Sequence, residues 1–119
     1  MNAAPSLTLY GIKNCDTVKK ARAWLDANGV RYAFHDYKSA GIEAERLLGW
    51  AKDVGWERLL NRSGTTYRKL PDVEKQNLDE AKAIALMVAQ PSMIRRPVVE
   101  GDGGLLVGFD ADRYRGTLL

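Results

Sequence analysis

Apolar and polar positions follow two different rhythms along this 119-residue chain. Leu7-Thr8-Leu9-Tyr10 alternates weakly, is rich in β-formers and predicts a strand that Gly11 ends, after a loose start over residues 1–6. The period then lengthens. Val18, Ala21 and Leu25 fall on one helical face, Ala23 and Trp24 widen it, and Asn28-Gly29 stops the helix. Val30 to Tyr37 is aromatic-rich and reads as a second strand, so the first third of the chain predicts a βαβ unit.

The middle is helical. Glu43 to Val54 carries Leu47, Leu48, Ala51 and Val54 at helical spacing, with acids in its first turn, where the helix dipole favours them. Gly55 breaks that helix, Trp56 to Leu60 makes a short apolar turn, and Asn61 to Thr66 reads as a polar loop. Pro71 opens a turn, and Asp79 caps a helix bearing Ala81, Ile84, Met87 and Val88 that Pro91 ends. Trp24, Trp50 and Trp56 lie among aliphatics at helical spacing and are expected in the core. After Arg95-Arg96-Pro97, Val98 to Glu100 and Leu105 to Val107 flank Gly101-Asp102-Gly103-Gly104, a hairpin pattern. Those glycines neither open a helix nor follow a Gly-x-Gly-x-x-Gly order, so they make no phosphate loop. Phe109-Asp110 starts a last helix with Asp110 as its cap. The order is β-α-β, then helices, then β-β-α: an α/β fold.

Length and composition narrow what such a fold does. The chain is expected to form one domain over 1–119. Its net charge of +3 comes without a dense Lys/Arg block, which argues against nucleic acid and suits a small anionic ligand. No apolar run approaches membrane-spanning length, and the start has neither the charged nor the apolar segment of a secretory signal. A cytoplasmic monomer with no membrane partner is the expectation. One cysteine excludes an internal disulfide, and one cysteine with one histidine argues against a transition-metal site.

That cysteine is the candidate nucleophile. Cys15 falls between a strand end and a helix start, where the free amides and dipole of the helix stabilise a thiolate. Lys13 precedes it by two residues, and Lys19 and Lys20 follow about one turn later. Surroundings of this kind lower thiol pKa values to roughly 3.5–7.5, and the thiolate is the species that thiol exchange requires. Val18 occupies the place where Cys-x-x-Cys would hold its second thiol, so any covalent intermediate is resolved by another molecule, glutathione or a partner's thiol. A Cys-x5-Arg phosphatase loop would need arginine at Ala21; Arg22 comes one position late. The loop from Arg62 to Lys69 mixes Arg62, Arg68 and Lys69 with hydroxyls and is a candidate anion cradle. His35 reads as structural, on the strand face of Ala33 and Tyr37.

Gly-Ile-Lys-Asn-Cys-Asp-Thr-x-Lys-Lys-Ala-Arg at 11–22, Phe-His-Asp-Tyr at 34–37 and Gly-Trp-Glu-x-Leu-Leu-Asn at 55–61 resemble the YffB branch of the ArsC/Spx family, which includes arsenate reductases. Gly-Thr-Thr-Tyr-Arg-Lys-Leu at 64–70 and Ile-x-Arg-Pro at 94–97 extend the resemblance to about residue 115. It implies a thioredoxin-like fold with a helical insertion, at about 42–91, between its two halves. It also implies Cys15 as nucleophile with a cis Pro97 and Arg96 beside it. Together with Lys13 and Asn14 from the cysteine's own segment and Arg62 as a substitute cation, these make the expected thiolate- and anion-binding set of Lys13, Asn14, Arg96, Pro97 and Arg62. Arsenate reductases of the family hold the oxyanion with three arginines. Arg96 matches one; Asn61, next to Arg62, and Gly108 stand at or near the other two.

Three functions follow as expectations. The first is a glutathione-dependent thiol/disulfide reductase with no bound cofactor, in which glutathione or a glutaredoxin-like protein supplies the resolving thiol. The second is arsenate reduction coupled to glutathione and glutaredoxin. The third is an Spx-like regulator that binds RNA polymerase without catalysis, from which Val18 removes the usual redox switch.

Overall fold

The computed structural model describes residues 7–101 and 103–119. The loose start expected at 1–6, and Asp102 of the hairpin turn, lie outside them. In chain order, β1 (Thr8–Gly11) leads into α1 (Asp16–Ala27), β2 (Ala33–Asp36) and α2 (Tyr37–Ala40). The helical middle holds α3 (Ala44–Val54), α4 (Trp56–Leu59), α5 (Thr65–Arg68), α6 (Asp72–Lys75), α7 (Glu80–Ala89) and a 3-10 turn at Pro91–Met93. The chain returns through β3 (Val98–Gly101) and β4 (Gly104–Val107) to α8 (Ala111–Leu118). This β-α-β … β-β-α order is the thioredoxin-like fold.

The strands form one sheet in the order β2-β1-β3-β4. β1 and β2 are parallel, as a crossover through α1 requires; β3 is antiparallel to both β1 and β4. The expected hairpin forms, and its register sets Gly101 opposite Gly104. Two compact units result: Met1–Ala40 with Arg96–Leu119, and Gly41–Arg95.

In the sheet-bearing unit, α1 buries Val18, Ala21 and Leu25 against Leu7, Leu9, Val99, Leu106 and Tyr114. Each fully buried aliphatic there contributes about 1.5–3 kcal/mol. At Gly11 α1 lies tight against the sheet: a Cβ at that position would lie 2.8 Å from Val18 Cγ2. Tyr114 anchors α8. Its hydroxyl donates to the Gly108 carbonyl at 2.8 Å, and its ring meets Trp24 and Phe109 edge-on. Burial pushes the Tyr114 phenol well above its ordinary pKa. The folded chain therefore keeps this proton at a pH where the unfolded chain loses it. Stability from this group is complete below about pH 10 and falls above it by about 1.4 kcal/mol per pH unit. Urea unfolding at pH 9, 10 and 11 should show a smaller alkaline loss in Tyr114→Phe than in the wild type.

In the unit Gly41–Arg95, Leu47, Trp50, Ala51, Leu59, Leu60, Ala83, Ile84 and Met87 are buried. Asp79 caps α7 by accepting the Lys82 N–H at 2.9 Å.

Four expectations need correction. The second strand is four residues rather than eight: Arg31 and Tyr32 lie before it, and Tyr37 opens a helical turn, so His35 and Tyr37 do not share a strand face. The ring of His35 packs on Tyr10, its partner across β1 and β2, at 5.0 Å. The polar loop after Asn61 turns helical at Thr65. Leu48 and Val88 sit on the outer sides of α3 and α7 and are exposed, and so is Ala81. Of the tryptophans, Trp50 is fully buried, whereas Trp24 and Trp56 are half-buried.

Candidate functional site

Parallel pairing makes β1 and β2 end side by side, with Gly11 opposite Asp36. Antiparallel pairing places Tyr10 opposite Val98, so the start of β3, preceded by Arg96 and Pro97, reaches the same edge of the sheet. In α/β folds the carboxyl ends of parallel strands are where side chains converge on ligands. Three segments far apart in sequence meet there: residues 12–15, residues 36–37 and residues 96–97.

Cys15 is the N-cap of α1. Its backbone is extended (φ −105°, ψ 127°), its carbonyl accepts the Lys19 N–H at 2.9 Å, and its N–H donates to the Ile12 carbonyl at 3.3 Å. The side chain makes no capping hydrogen bond. It is half-buried, packed on one side against the core under α1. The amides of the first helical turn have no partners one turn back, so they carry partial positive charge at this position. Lys13 and Asn14 are exposed.

Asp36 ties the segment down. One carboxylate oxygen accepts the Lys13 N–H at 3.3 Å and the other the Lys38 N–H at 3.0 Å, while its carbonyl accepts the Ser39 hydroxyl at 3.3 Å. Next to it, Tyr37 is fully buried. Burial pushes its phenol far above the ordinary tyrosine range; Arg96 pulls it down, and Cys15 and Asp36 push it further up. The phenol thus stays protonated within electrostatic reach of both Cys15 and Arg96. The Arg96–Pro97 peptide bond is cis, as the resemblance implies, and the Pro97 carbonyl accepts the Gly108 N–H at 2.7 Å.

The sequence-expected set is therefore brought together in part. Lys13, Asn14, Cys15, Arg96 and Pro97 belong to one unit and one sheet edge. Arg62 belongs to the other unit, where its guanidinium lies 6.0 Å from the centre of the Trp56 ring. Asp36 and Tyr37 are additions. Their signal was the Phe34-His35-Asp36-Tyr37 segment, but only the register of β1 with β2 gives those residues their place.

Asn61 and Gly108, at or near the positions where the resemblance implies arginines, have work in the backbone. Asn61 donates its N–H to the Met93 carbonyl at 2.8 Å and accepts the Ser63 N–H on its side chain at 3.2 Å. Gly108 has φ +82°, a conformation that strongly favours glycine. Among the described residues, no helix is long and apolar enough to cross a membrane.

The solved structure of YffB is 58% identical, with a TM-score of 0.92 over 95% of this chain and 99% of its own. An arsenate reductase (ArsC) related protein from Brucella melitensis is 55% identical, with a TM-score of 0.75 over 98% of this chain and 97% of its own. The global transcriptional regulator Spx of Streptococcus mutans is 27% identical over 114 residues, 94% of this chain and 82% of its own. The model of the ArsC family matches residues 10–117. A match of that extent, on a thioredoxin-like sheet with its thiol at the start of α1, makes this chain a member of the ArsC family.

Proposed function

We propose that this protein is a single-cysteine thiol/disulfide reductase that uses glutathione as its second thiol. One observation carries the reading: the chain's single cysteine is a half-exposed N-cap whose sulfur is not spent on capping the helix. In the first step the Cys15 thiolate attacks the glutathione sulfur of a mixed disulfide. The new bond joins Cys15 to glutathione, and the substrate leaves as a thiolate that takes up a proton. A second glutathione thiolate then attacks the sulfur of the bound glutathione, releasing glutathione disulfide and the Cys15 thiolate. Overall one free glutathione is consumed: the substrate sulfur is reduced to a thiol, taking up the proton that this glutathione gives up, while the free glutathione and the one carried over from the substrate leave joined as glutathione disulfide. Lys13 and Arg96 draw the anionic substrate to the site, and the amides at the start of α1 favour the thiolate of each exchange.

Arsenate reduction is the competing reading, favoured by similarity to the Brucella melitensis protein. It fits less well, because Asn61 stands at one of the positions where the resemblance implies oxyanion-binding arginines and Gly108 at or near another, and neither carries a cation. A glutathionylated peptide, with glutathione and a coupled assay for glutathione disulfide, tests the choice. Saturable turnover and a Cys15–glutathione adduct in the mass spectrum are expected. Turnover no faster than glutathione alone, with no adduct, would overturn the proposal. Arsenate-dependent turnover that exceeds peptide deglutathionylation would transfer the assignment to arsenate.

A further inference from the structure

We propose that Asp36 is the positioning residue for Cys15, its carboxylate holding the segment 12–15 in the geometry of attack. The inference rests on the thiol-exchange reading and assigns to it a residue that never touches the substrate. Its basis is how little else holds that segment. Lys13 and Asn14 are exposed and add nothing to the core. Within the segment there is one backbone bond, from the Cys15 N–H to the Ile12 carbonyl, and it leaves the Lys13 and Asn14 amides unheld. Among the described residues, the Lys13 N–H to Asp36 contact is the one side-chain hydrogen bond that reaches Lys13 or Asn14 from outside.

Asp36 is well placed to act as an anchor. It ends β2 directly opposite Gly11, the last residue of β1, so the sheet fixes its backbone against the strand from which the segment departs. Its second oxygen is held by the Lys38 N–H, and its carbonyl by the Ser39 hydroxyl, so the side chain is oriented from behind. A carboxylate accepting two amide hydrogens, at 3.3 and 3.0 Å, is a charge-assisted bridge from the strand end to the segment. Disulfide exchange needs the attacking sulfur in line with the bond that breaks, whereas alkylation by a small, freely diffusing reagent makes a much weaker demand on position. A loosened segment therefore slows the first reaction much more than the second.

The test uses two reagents on the intact protein: iodoacetamide, and the aromatic disulfide 5,5′-dithiobis(2-nitrobenzoate), which releases a coloured thiolate on exchange. Both report on Cys15 whether or not glutathione proves to be the physiological thiol, so failure of the functional reading leaves this test intact. Asp36→Ala should slow disulfide exchange by roughly tenfold while iodoacetamide alkylation stays within about twofold. Hydrogen exchange at the Lys13 amide should accelerate in the same variant. Asp36→Asn, which keeps one acceptor oxygen but no charge, should fall between wild type and Asp36→Ala in both exchange measurements, and it serves if the alanine variant folds poorly. Equal slowing with the two reagents, or equal effects of Asn and Ala, would overturn the proposal in favour of a charge effect. So would an unchanged rate of disulfide exchange in Asp36→Ala.

Discussion

Cys15→Ser is expected to reduce turnover by at least ~1,000-fold, the scale on which enzymes lose activity when their nucleophile is removed, and at the same time to make the fold slightly more stable. The two effects share one cause. Cys15 occupies the N-cap of a twelve-residue helix, where an oxygen side chain would accept an amide hydrogen from the first turn. Sulfur is a poor acceptor, and the capping bond is absent. Serine has nearly the same shape, fits a half-buried position and restores the bond, which is worth about 0.5–1 kcal/mol. Its hydroxyl cannot take part in sulfur exchange. A urea midpoint that rises while the deglutathionylation assay falls to background is the expected pair of results. Cys15→Ala separates the contributions: it should lose the activity without gaining the stability. If Cys15→Ser keeps measurable turnover, the chemistry does not pass through this sulfur. On the proposed reading, a residue that forgoes helix stability to present a thiol fits the general exchange of stability for function at active sites.

Much of this site was legible in the sequence, for local reasons. The strand-to-helix junction at Cys15 showed because Gly11 ends an alternating run and Val18, Ala21 and Leu25 begin a helical one. The hairpin after Pro97 showed because two apolar runs flank glycines. The limits were equally physical. Where β2 ends is decided by pairing with the four residues of β1, and nothing local in Val30 to Tyr37 shows that only Ala33 to Asp36 will pair. Tyr37 consequently read as a strand residue when it opens a helical turn. Asp36 carried no chemical signal of its own, since an aspartate after an aromatic run is ordinary. Its role appears only when parallel register puts it opposite Gly11 and within reach of the Lys13 amide. Leu48 and Val88 matched a helical period yet face outward, because a period alone does not show how wide a face the neighbouring helices cover.

On the proposed thiol-exchange reading Val18 decides how Cys15 is recycled, and replacing it should change the order of the chemistry. Cys15 and Val18 are N-cap and N3 of α1, the two positions whose side chains face each other across a helix's first turn. Side chains spaced in this way have β-carbons about 5–6 Å apart. A disulfide needs about 3.5–4.5 Å, a closure that a half-buried residue outside the helix proper can make. In wild type the position is filled by a fully buried valine seated over Gly11, so packing has the place that a resolving thiol would need. Val18→Cys should cost about 1 kcal/mol of stability, the value of a lost methyl contact. When treated with glutathione disulfide and no reduced glutathione, wild type should stop at the Cys15–glutathione adduct. The variant should pass through it to an internal disulfide, lose both alkylatable thiols and release glutathione. A variant that stops at the adduct would mean that the sulfur of Cys15 is directed away from the first turn, toward solvent and an external thiol alone. The expected outcome places the difference between a single-thiol and a two-thiol exchanger in one core side chain: valine at this position strengthens the packing of α1 and leaves the second half of the reaction to another molecule.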